Sequence, residues 1–221
     1  REIETANVVC IVKGSSDKVI VVSAHYDHLG KIGEEFFPGG DDNGSGTAAL
    51  LELAQEFSKR TDLKHSIMFL ATSAEESNLL GARYHVNQPD FNAENVVCNL
   101  NLDMIGRSDD KHKNPRYLYC IGADQLPNLH ELIKKADHAY TKCAFDYTLN
   151  DSKDAFGLYT RADSYAFYKK GIPAIHFFSG FHEDYHKTSD TVYKIDFQNL
   201  EYRVHQIAAV IEMIQAERPD D

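Results

Sequence analysis

The sequence has few basic residues, no long apolar run and no closely spaced cysteine pair. Its 23 Lys and Arg are outnumbered by 34 Asp and Glu, which gives a formal net charge of −11. This balance argues against binding to nucleic acid, whose phosphates need clustered cations, and against an anionic membrane surface. No hydrophobic stretch approaches the roughly 20 residues that a membrane-spanning helix requires. Neither nucleic acid nor a membrane is therefore an expected partner.

The four cysteines lie far apart in the sequence and form no CxxC spacing. Neither a thiolate metal site nor a CxxC redox motif is therefore predicted. Cys10 and Cys98 lie within apolar runs, which predicts that both are buried free thiols. No leader segment is recognisable, and a chain that opens at Arg1 on a predicted strand is expected to be trimmed rather than complete.

Alternating apolar runs and helical patterns indicate the fold class. The length of 221 residues fits one compact domain, which we expect to extend over residues 1–221. The β-branched runs do not alternate strictly with polar residues, as expected for strands covered on both faces. Strands are predicted over residues 7–12, 19–24, 66–71, 96–102, 117–121 and 173–178, and helices over 45–59 and 126–140. The predicted fold is α/β, with a mixed, largely parallel central sheet flanked by helices.

The last predicted helix has the clearest pattern. Apolar residues step by three and four positions from Phe197 to Ile214, and Asp196 is the expected N-cap. The stripe covers fewer than three heptads, so packing against the sheet is favoured over a dimer seam. The oligomeric state is not predicted by the sequence.

Polar side chains follow four of the predicted strands. His25, the pair Glu75 and Glu76, Asp103 and the histidine-containing loop 181–186 each come at or just after a strand end. Ligands of open α/β sheets bind beyond the carboxyl ends of the strands. We therefore expect these groups to meet at one edge of the sheet.

Two of these segments have features of a metal site. His25 is followed two residues later by Asp27, which suits a metal-bound imidazole whose other nitrogen donates to a carboxylate. In the glycine-rich segment 39–46, the adjacent carboxylates of Asp41 and Asp42 repel each other, and a cation removes that repulsion. The alternative for this segment is an acidic turn before a helix. Spacing alone does not choose between the two aspartates.

The remaining segments supply further ligands and catalytic groups. Of Glu75 and Glu76, one is expected to bind metal and the other to act as a general base. Asp103 needs a partner, because an unpaired buried carboxylate is costly. In the loop 184–191, His186 is a candidate ligand with His182 as its rival, and Tyr185 is a candidate oxyanion stabiliser. Five histidines are interpreted as ordinary residues: His65, His85, His112, His130 and His205.

The donor set selects the metal. Two imidazoles and three carboxylates, without a thiolate, suit zinc in a hydrolytic site. Five protein ligands exceed what one catalytic zinc ion takes, and they fit two ions that share one carboxylate.

These motifs resemble those of the M28 family of zinc aminopeptidases. Segments 25–28, 40–46, 74–76, 101–106 and 186–191 occur in the family's order, and 161–174 resembles a further family segment. The resemblance covers nearly the whole chain and implies the three-layer sandwich of zinc exopeptidases. One departure is Ser164, where many relatives have His.

The resemblance implies a role for each matching residue. Asp42 would bridge two zinc ions, His25 and Asp103 would complete one ion, and Glu76 and His186 the other. The other implied roles are Glu75 as general base, Tyr185 as oxyanion stabiliser, Asp27 as the partner that orients His25, and Asp163 as a supporting residue that does not bind metal. A cis peptide bond is also implied between residues 42 and 43.

The implied activity is hydrolysis of the N-terminal peptide bond of peptides with a free N-terminus, outside the cytoplasm, in a secreted or periplasmic location. Three alternatives remain open. A carboxypeptidase would need cations for the substrate carboxylate, for which Arg161 is the one candidate. A glutaminyl cyclase would use one zinc ion and usually lacks the paired glutamates. A non-catalytic binding module would be expected to have lost a ligand or the base.

Overall fold

The computed structural model describes residues 4–123, 127–140, 142–150 and 157–216. A seven-stranded sheet forms the centre of the fold, in the order β1-β5-β2-β6-β9-β7-β8. Its strands are β1 (Val8–Val12), β2 (Val19–His25), β5 (Ser66–Thr72), β6 (Val96–Leu102), β7 (Tyr117–Ile121), β8 (Ala144–Asp146) and β9 (Ala174–Phe178). A separate hairpin consists of β3 (Gly30–Ile32) and β4 (Glu35–Phe37).

Most neighbouring strands of the central sheet are parallel. β2 pairs in parallel with β5 and β6, β6 with β9, and β7 with β8. The pairs β1–β5 and β7–β9 are antiparallel. The prediction of a mixed, largely parallel sheet is therefore confirmed.

Helices cover both faces of the sheet. The described helices are α1 (Gly46–Phe57), α2 (Leu80–Val86), α3 (Pro127–Ala139), α4 (Ser164–Tyr168) and α5 (Phe197–Ala216). Alternate residues of one strand contribute to different cores: Ile20 and Val22 pack in the core that contains α1, α3 and α5 residues, whereas Val21 packs with residues of α2 and α4. This alternation is the period of two of a strand. The result is the expected three-layer sandwich.

None of the described helices is both long and apolar enough to cross a membrane.

Most of the predicted strands and helices begin and end within two residues of the observed positions. The strands at 96–102 and 117–121 have the predicted bounds. α1 ends two residues before the predicted position, and α5 extends to Ala216. The predicted start of α3 at Leu126 lies outside the described residues. Elements of three to seven residues were not predicted, namely β3, β4, β8, α2 and α4, because they are too short to show a period.

The first strand departs from its prediction. β1 pairs only with β5 and lies at the edge of the sheet, with Val8 60% and Ile11 43% exposed. Cys10 is also exposed, so the expectation that it is a buried thiol is wrong. Cys98, on the central strand β6, is buried as predicted. An apolar run predicts a strand, but its position within the sheet decides how much of it is covered.

Arg203 is a fully buried cation in α5 that the apolar pattern of the helix did not predict. Its Nε donates to the carbonyl of Tyr117, and its two terminal nitrogens donate to the carbonyls of Ile105, Arg107 and Pro115 and to the hydroxyl of Ser108, at 2.7–2.9 Å. These five bonds use all five N–H donors of the guanidinium. The apolar residues beside it, including Ile207 and Ile211, are buried in the core, as predicted for packing on the sheet.

Replacing Arg203 with Met is expected to lower the free energy of unfolding by at least about 3 kcal/mol, because each buried acceptor left without a donor costs about 1–3 kcal/mol. Urea unfolding in the presence of chelator measures this loss without a contribution from metal. Arg116→Met is the control, since Arg116 is exposed and lies over the ring of Tyr202, and a loss below about 1 kcal/mol is expected there. Equal midpoints for the two variants would contradict this account of Arg203.

Candidate metal centre

The predicted site residues meet at one edge of the central sheet. His25 ends β2, Glu75 and Glu76 follow β5, Asp103 follows β6, and His186 lies in the loop after β9. All of these except His25 line one cleft of about 260 Å³ together with Asp42 and Tyr185. His25 lies behind the lining, in contact with Asp42. Ala74, Met104 and His186, next to or within this set, have positive φ angles of 52–56°. Non-glycine residues rarely adopt this conformation, and functional sites are where it concentrates.

One group of donors surrounds the imidazole of His25. Its Nε2 lies 3.3 Å from Oδ1 of Asp42 and 3.4 Å from Oδ1 of Asp103. Its Nδ1 lies 3.0 Å from the backbone carbonyl oxygen of Asp27 and 3.7 Å from that residue's carboxylate. The expected orienting contact from Asp27 is therefore made by its backbone oxygen. This contact fixes the ring with Nε2 facing the two carboxylates.

A second group surrounds the other oxygen of Asp42. His186 Nε2 lies 3.0 Å from Asp42 Oδ2 and 3.4 Å from Glu76 Oε1. His28 also faces this group, with Nδ1 2.9 Å from Glu76 Oε1. Asp42 thus presents one carboxylate oxygen to each group, which is the arrangement that a bridging ligand requires.

The backbone around Asp42 is held by a buried aspartate from the far end of the chain. Asp190 is fully buried, and its carboxylate accepts hydrogen bonds from the backbone N–H groups of Asp41 and Asp42 at 3.0–3.1 Å. The peptide bond between Asp42 and Asn43 is cis, as the resemblance implied. The side chain of Asn43 contacts the backbone of Leu102 and Met104. These contacts fix the turn against the end of β6.

Asp41 and His182, the rival candidates, lie together and away from both groups. Oδ2 of Asp41 lies 3.1 Å from His182 Nε2, and its Oδ1 accepts from the backbone of Gly106 at 2.7 Å. The other ring nitrogen of His182 contacts Arg107. Because both residues are engaged in this way, the geometry favours Asp42 and His186 as ligands.

The loop that contains the paired glutamates is held by the carboxylate of Asp27. It accepts hydrogen bonds from the backbone N–H groups of Glu75 and Glu76, at 3.0 and 3.3 Å. The carboxylate of Asp27 therefore positions the glutamates, while its carbonyl oxygen positions His25. The sequence pattern gave no signal for the first of these contacts.

The cleft concentrates negative charge, and Arg161 is the only Lys or Arg among the described residues that line it. Within the described part of the chain, neither Lys nor Arg forms an ion pair with Asp42, Glu76 or Asp103, whose charged partners are all imidazoles. Burial disfavours charge on His25, but Asp103 and the other nearby carboxylates hold its pKa well above the usual value. Burial also opposes charge on Asp42, yet His186 and His25 hold its pKa below the usual range.

Glu75 lines the same cleft. Burial raises its pKa to about 9; the charge of His25 opposes this rise, and Asp103, Asp163 and Glu76 add to it. A carboxyl group in this state binds a proton strongly, which suits a residue that takes one from a reacting group. A cation beside it would lower this pKa toward the working range.

Tyr185 also lines the cleft. Its ring stacks on His186 with centroids 3.9 Å apart, and its oxygen accepts a hydrogen bond from Arg161 at 2.9 Å. Burial, with the charge of Asp42, raises the pKa of its phenol, which therefore stays protonated as a donor.

Asp163 is fully buried, and its Oδ2 accepts from the hydroxyl of Thr72. Its other oxygen, Oδ1, has no hydrogen-bond partner among the described residues. Burial raises the pKa of Asp163 to about 6. His25 opposes this rise and Asp103 adds to it.

The raised pKa of Asp163 predicts a pH-dependent stability. An unfolded aspartate releases its proton near pH 3.9, whereas the folded metal-free chain retains this one up to about pH 6. Between these values the folded state binds more protons, so its stability falls as the pH rises. In chelator, Asp163→Asn is expected to be more stable than wild type by about 3 kcal/mol at pH 8 and equal to it near pH 4. Urea unfolding at both values tests this, and a difference that does not change with pH would contradict it.

The donors present fit a metal ion. Oε1 of Glu76 and both ring nitrogens of His28 are buried without a hydrogen-bond partner in the described chain. Buried polar atoms are otherwise nearly always paired. Two clusters have donors mutually close enough for one ion, namely His25 with Asp42 and Asp103, and His28 with Asp42 and Glu76. Nitrogen and carboxylate oxygen donors without sulfur suit zinc in a hydrolytic site.

The sequence patterns assign no role to His28 or Asp190, and they place the carboxylate of Asp27 against His25, whereas it binds the backbone of Glu75 and Glu76. His28 lies three residues after His25, and this nearness to the end of β2 was the signal available for it. Of the histidines interpreted as ordinary, His112 lies between the carboxylates of Asp109 and Asp146, 2.8 Å from each.

Comparison with known proteins identifies the family of this chain. The model of peptidase family M28 matches residues 7–211. Aminopeptidase YwaD of Bacillus subtilis is 30% identical over 223 residues, which cover 96% of this chain and 45% of that protein. The protein named Probable lipoprotein aminopeptidase LpqL of Mycobacterium tuberculosis is 29% identical over 222 residues, covering 86% of this chain and 41% of that protein.

Solved structures share the fold. BSAP, a zinc aminopeptidase from Bacillus subtilis, superposes with a TM-score of 0.77 at 26% identity, covering 94% of this chain and 49% of that one. A glutaminyl cyclase from Porphyromonas gingivalis superposes with a TM-score of 0.73 at 20% identity, covering 94% and 76%. At 20% identity the likeness concerns the fold alone. The chain thus spans about half the length of the aminopeptidases it matches. Since the family match extends over residues 7–211, and so over every residue of the metal centre, the chain belongs to peptidase family M28.

Proposed function

We propose that this chain is the catalytic part of a metallo-aminopeptidase that hydrolyses the N-terminal bond of peptides at a dinuclear zinc centre. The observation that carries the proposal is the position of Asp42. One oxygen of its carboxylate faces His25, and the other faces His186 and Glu76. A shared carboxylate between two imidazole-containing groups is the donor arrangement of a two-metal hydrolase.

The residues divide between the two ions. His25 and Asp103 would hold one ion, Glu76 and His186 would hold the other, and Asp42 would bind both. When bound, the zinc ions supply Lewis-acid chemistry, which acidifies water and polarises the scissile carbonyl group.

Glu75 is the proposed general base. It lies in the same cleft as the proposed ligands but makes none of the close contacts that join them. Its carboxylate takes the proton of the attacking water and later returns it to the leaving amine. The backbone N–H of Glu75 donates a hydrogen bond to the carboxylate of Asp27, which fixes the backbone from which the Glu75 side chain extends. The proton acceptor is therefore positioned before substrate binds.

Tyr185 is the proposed oxyanion stabiliser. Arg161 donates to the phenol oxygen, which leaves the hydroxyl hydrogen free to be donated into the cleft. Such a donor stabilises the negative charge that develops on the carbonyl oxygen in the transition state.

The charge of the cleft supports action on a free N-terminus. Five acidic residues, Asp42, Glu75, Glu76, Asp103 and Asp163, lie at or next to the site. The two ions would use three of these acidic residues as ligands, which leaves Glu75 and Asp163. Acidic groups beyond the ligands favour binding of a substrate whose α-amine is protonated. By analogy with the lipoprotein aminopeptidase LpqL we also propose a location outside the cytoplasm, either secreted or periplasmic.

Two other activities of this fold receive less support. A glutaminyl cyclase shares the fold, but one zinc ion would leave the second imidazole–carboxylate group without a role. A carboxypeptidase would need cations for the substrate's terminal carboxylate. Among the described residues that line the cleft, Arg161 is the only Lys or Arg, and its guanidinium already donates to Tyr185.

Zinc content and activity, measured on one preparation, test the proposal. We expect about two zinc ions per chain by elemental analysis. Leucine p-nitroanilide should be cleaved in a chelator-sensitive reaction, and its N-acetylated form should not be cleaved. The acetylated substrate is the matched control, because it differs only at the α-amine.

Other outcomes would assign a different activity. Equal cleavage of both substrates would remove the requirement for a free amine. One bound zinc with release of ammonia from an N-terminal glutamine peptide would support the cyclase. A chain that binds no zinc and cleaves neither substrate would support the alternative of a non-catalytic binding module.

A further inference from the structure

His28 is a buried histidine for which the proposed ligand set has no role. It lies in the loop after β2, and its side chain is only 8% exposed. Neither of its ring nitrogens has a hydrogen-bond partner among the described residues. Nδ1 lies 2.9 Å from Glu76 Oε1, a close contact without hydrogen-bond geometry, and Nε2 has no contact of this kind within the described chain. Leaving a buried polar group unpaired costs about 1–3 kcal/mol, and a metal ion beside Nδ1 and Oε1 would bind both atoms.

The ring is directed at the donors around Glu76. Its Nδ1 lies 2.9 Å from Glu76 Oε1 and 3.8 Å from Asp42 Oδ2. His186 Nε2 lies 3.4 Å and 3.0 Å from the same two oxygens. Two imidazole nitrogens therefore share the same pair of carboxylate oxygens, and Glu76 Oε1 likewise has no hydrogen bond within the described chain. The donor atoms of His28, Asp42 and Glu76 lie close enough to one another for a single ion, and imidazole and carboxylate are ligands that zinc takes.

The backbone opposite His28 is shaped to admit its ring. Gly39 has a φ of +64°, and a Cβ atom there would lie 2.6 Å from Cγ of His28 and 2.8 Å from its Cβ. Any other residue at position 39 would displace the imidazole. Gly39 thus leaves space for the ring of His28 beside Asp42 and Glu76.

The group around His25 contains His25, Asp42 and Asp103. Among the described residues, His25 is the only imidazole that faces Oδ1 of Asp42, whereas His28 and His186 both face Oδ2. His176 lies further off, with Nε2 4.0 Å from Asp103 Oδ2. The two sides of Asp42 therefore differ in the number of imidazoles they face.

We infer that His28 is a fourth protein ligand of the metal ion held by Asp42, Glu76 and His186. The inference rests on the proposed dinuclear function and extends it. With His28, the ion near Glu76 would have one more protein ligand than the ion at His25. The additional ligand would make the ion near Glu76 the more tightly bound of the two.

A crystal structure of the zinc-loaded chain tests the inference without any substitution. We expect a ring nitrogen of His28 about 2.0–2.1 Å from one zinc ion. Both zinc affinities are then measured by competition with a chromophoric chelator, for wild type and for His28→Gln. The substitution is expected to weaken the tighter site by more than about 100-fold, beyond the 10–100-fold effect of losing an outer partner of a ligand. The weaker site should be unchanged.

His85→Gln is the matched control. Its Nε2 is also buried without a hydrogen bond, and its ring packs against Phe91 and Phe167 in a different part of the fold. Both of its zinc affinities should equal those of wild type. Urea unfolding of each variant in the presence of chelator shows whether the fold is intact when no metal is bound.

Two zinc ions in wild type, with every nitrogen of His28 more than about 3 Å from both, would overturn the inference and leave the proposed function intact. Unchanged affinities in His28→Gln would do the same. Fewer than two ions in wild type would instead overturn the dinuclear proposal. The coordination of the single ion would then decide whether His28 is a ligand.

Discussion

Replacing Glu75 with Gln is expected to lower kcat by about 10²–10⁴-fold while the zinc content stays at the wild-type level. Gln has nearly the same shape as Glu but cannot accept the proton of the attacking water. The raised pKa of Glu75 in the metal-free chain shows how strongly this site holds a proton. Steady-state kinetics on leucine p-nitroanilide, with zinc counted on the same samples, measure the effect. KM is expected to change little, since the loss concerns the transition state.

The comparison variant is Glu52→Gln, an exposed glutamate of α1 that should retain wild-type turnover. Two results would exclude Glu75 as the base. The first is a Glu75→Gln enzyme with near-normal kcat. The second is a loss of activity that zinc loss fully accounts for, because Glu75 would then act as a ligand.

Replacing Asp42 with Asn is expected to weaken both zinc sites together and to reduce activity to background. Each oxygen of Asp42 faces a different group of donors. Removal of one charge from this position therefore affects both ions, whereas loss of His186 or Asp103 would affect mainly one. Zinc affinity by chelator competition should fall at both sites by at least about 100-fold, more than the loss of an outer partner causes.

Asp41→Asn provides a control from the adjacent residue. Asp41 is equally buried, but its partners are His182 and the backbone of Gly106. This variant should retain both zinc ions and lose about 1–3 kcal/mol of stability. If Asp41→Asn lost zinc and Asp42→Asn kept it, the bridging role would belong to Asp41. Full zinc binding by both variants would rule out a bridging aspartate in this turn.

The convergence of the site residues was predictable because it depends on a rule about strands. The carboxyl ends of parallel strands meet at one edge of the sheet. Residues at the ends of β2, β5, β6 and β9 therefore had to lie near one another once the strands were recognised. His25 and Asp103 could be found in this way. The choice of Asp42 over Asp41 could not, since both are adjacent in the same turn and differ only in the direction of the side chain.

The supporting contacts could not be predicted, because they join segments distant in sequence without any periodic pattern. Asp190 binds the backbone of the turn at Asp42 across 148 positions. Asp27 binds the loop of the paired glutamates across 48 positions. An aspartate in either place is typical of an ordinary loop. Only the folded arrangement shows which backbone N–H groups it faces.

The error at β1 has a related cause. Apolar character predicts burial from composition, yet coverage depends on the neighbours that a strand acquires. β1 pairs with β5 alone and lies at the sheet edge. Cys10 is consequently exposed, whereas Cys98 on β6 has strands on both sides. The two apolar runs are similar, and their positions in the strand order distinguish them.

Arg203 has a consequence for the synthesis of the chain. Its guanidinium supplies the hydrogen bonds of backbone carbonyls between Ile105 and Tyr117, in the segment that follows Asp103. A nascent chain still lacking α5 lacks the guanidinium that binds those carbonyls, although every proposed zinc ligand precedes α5 in the sequence. The ligands are thus translated before the helix that fixes the segment after Asp103. Metal uptake is accordingly expected to be a late event, completed only after the last helix has left the ribosome.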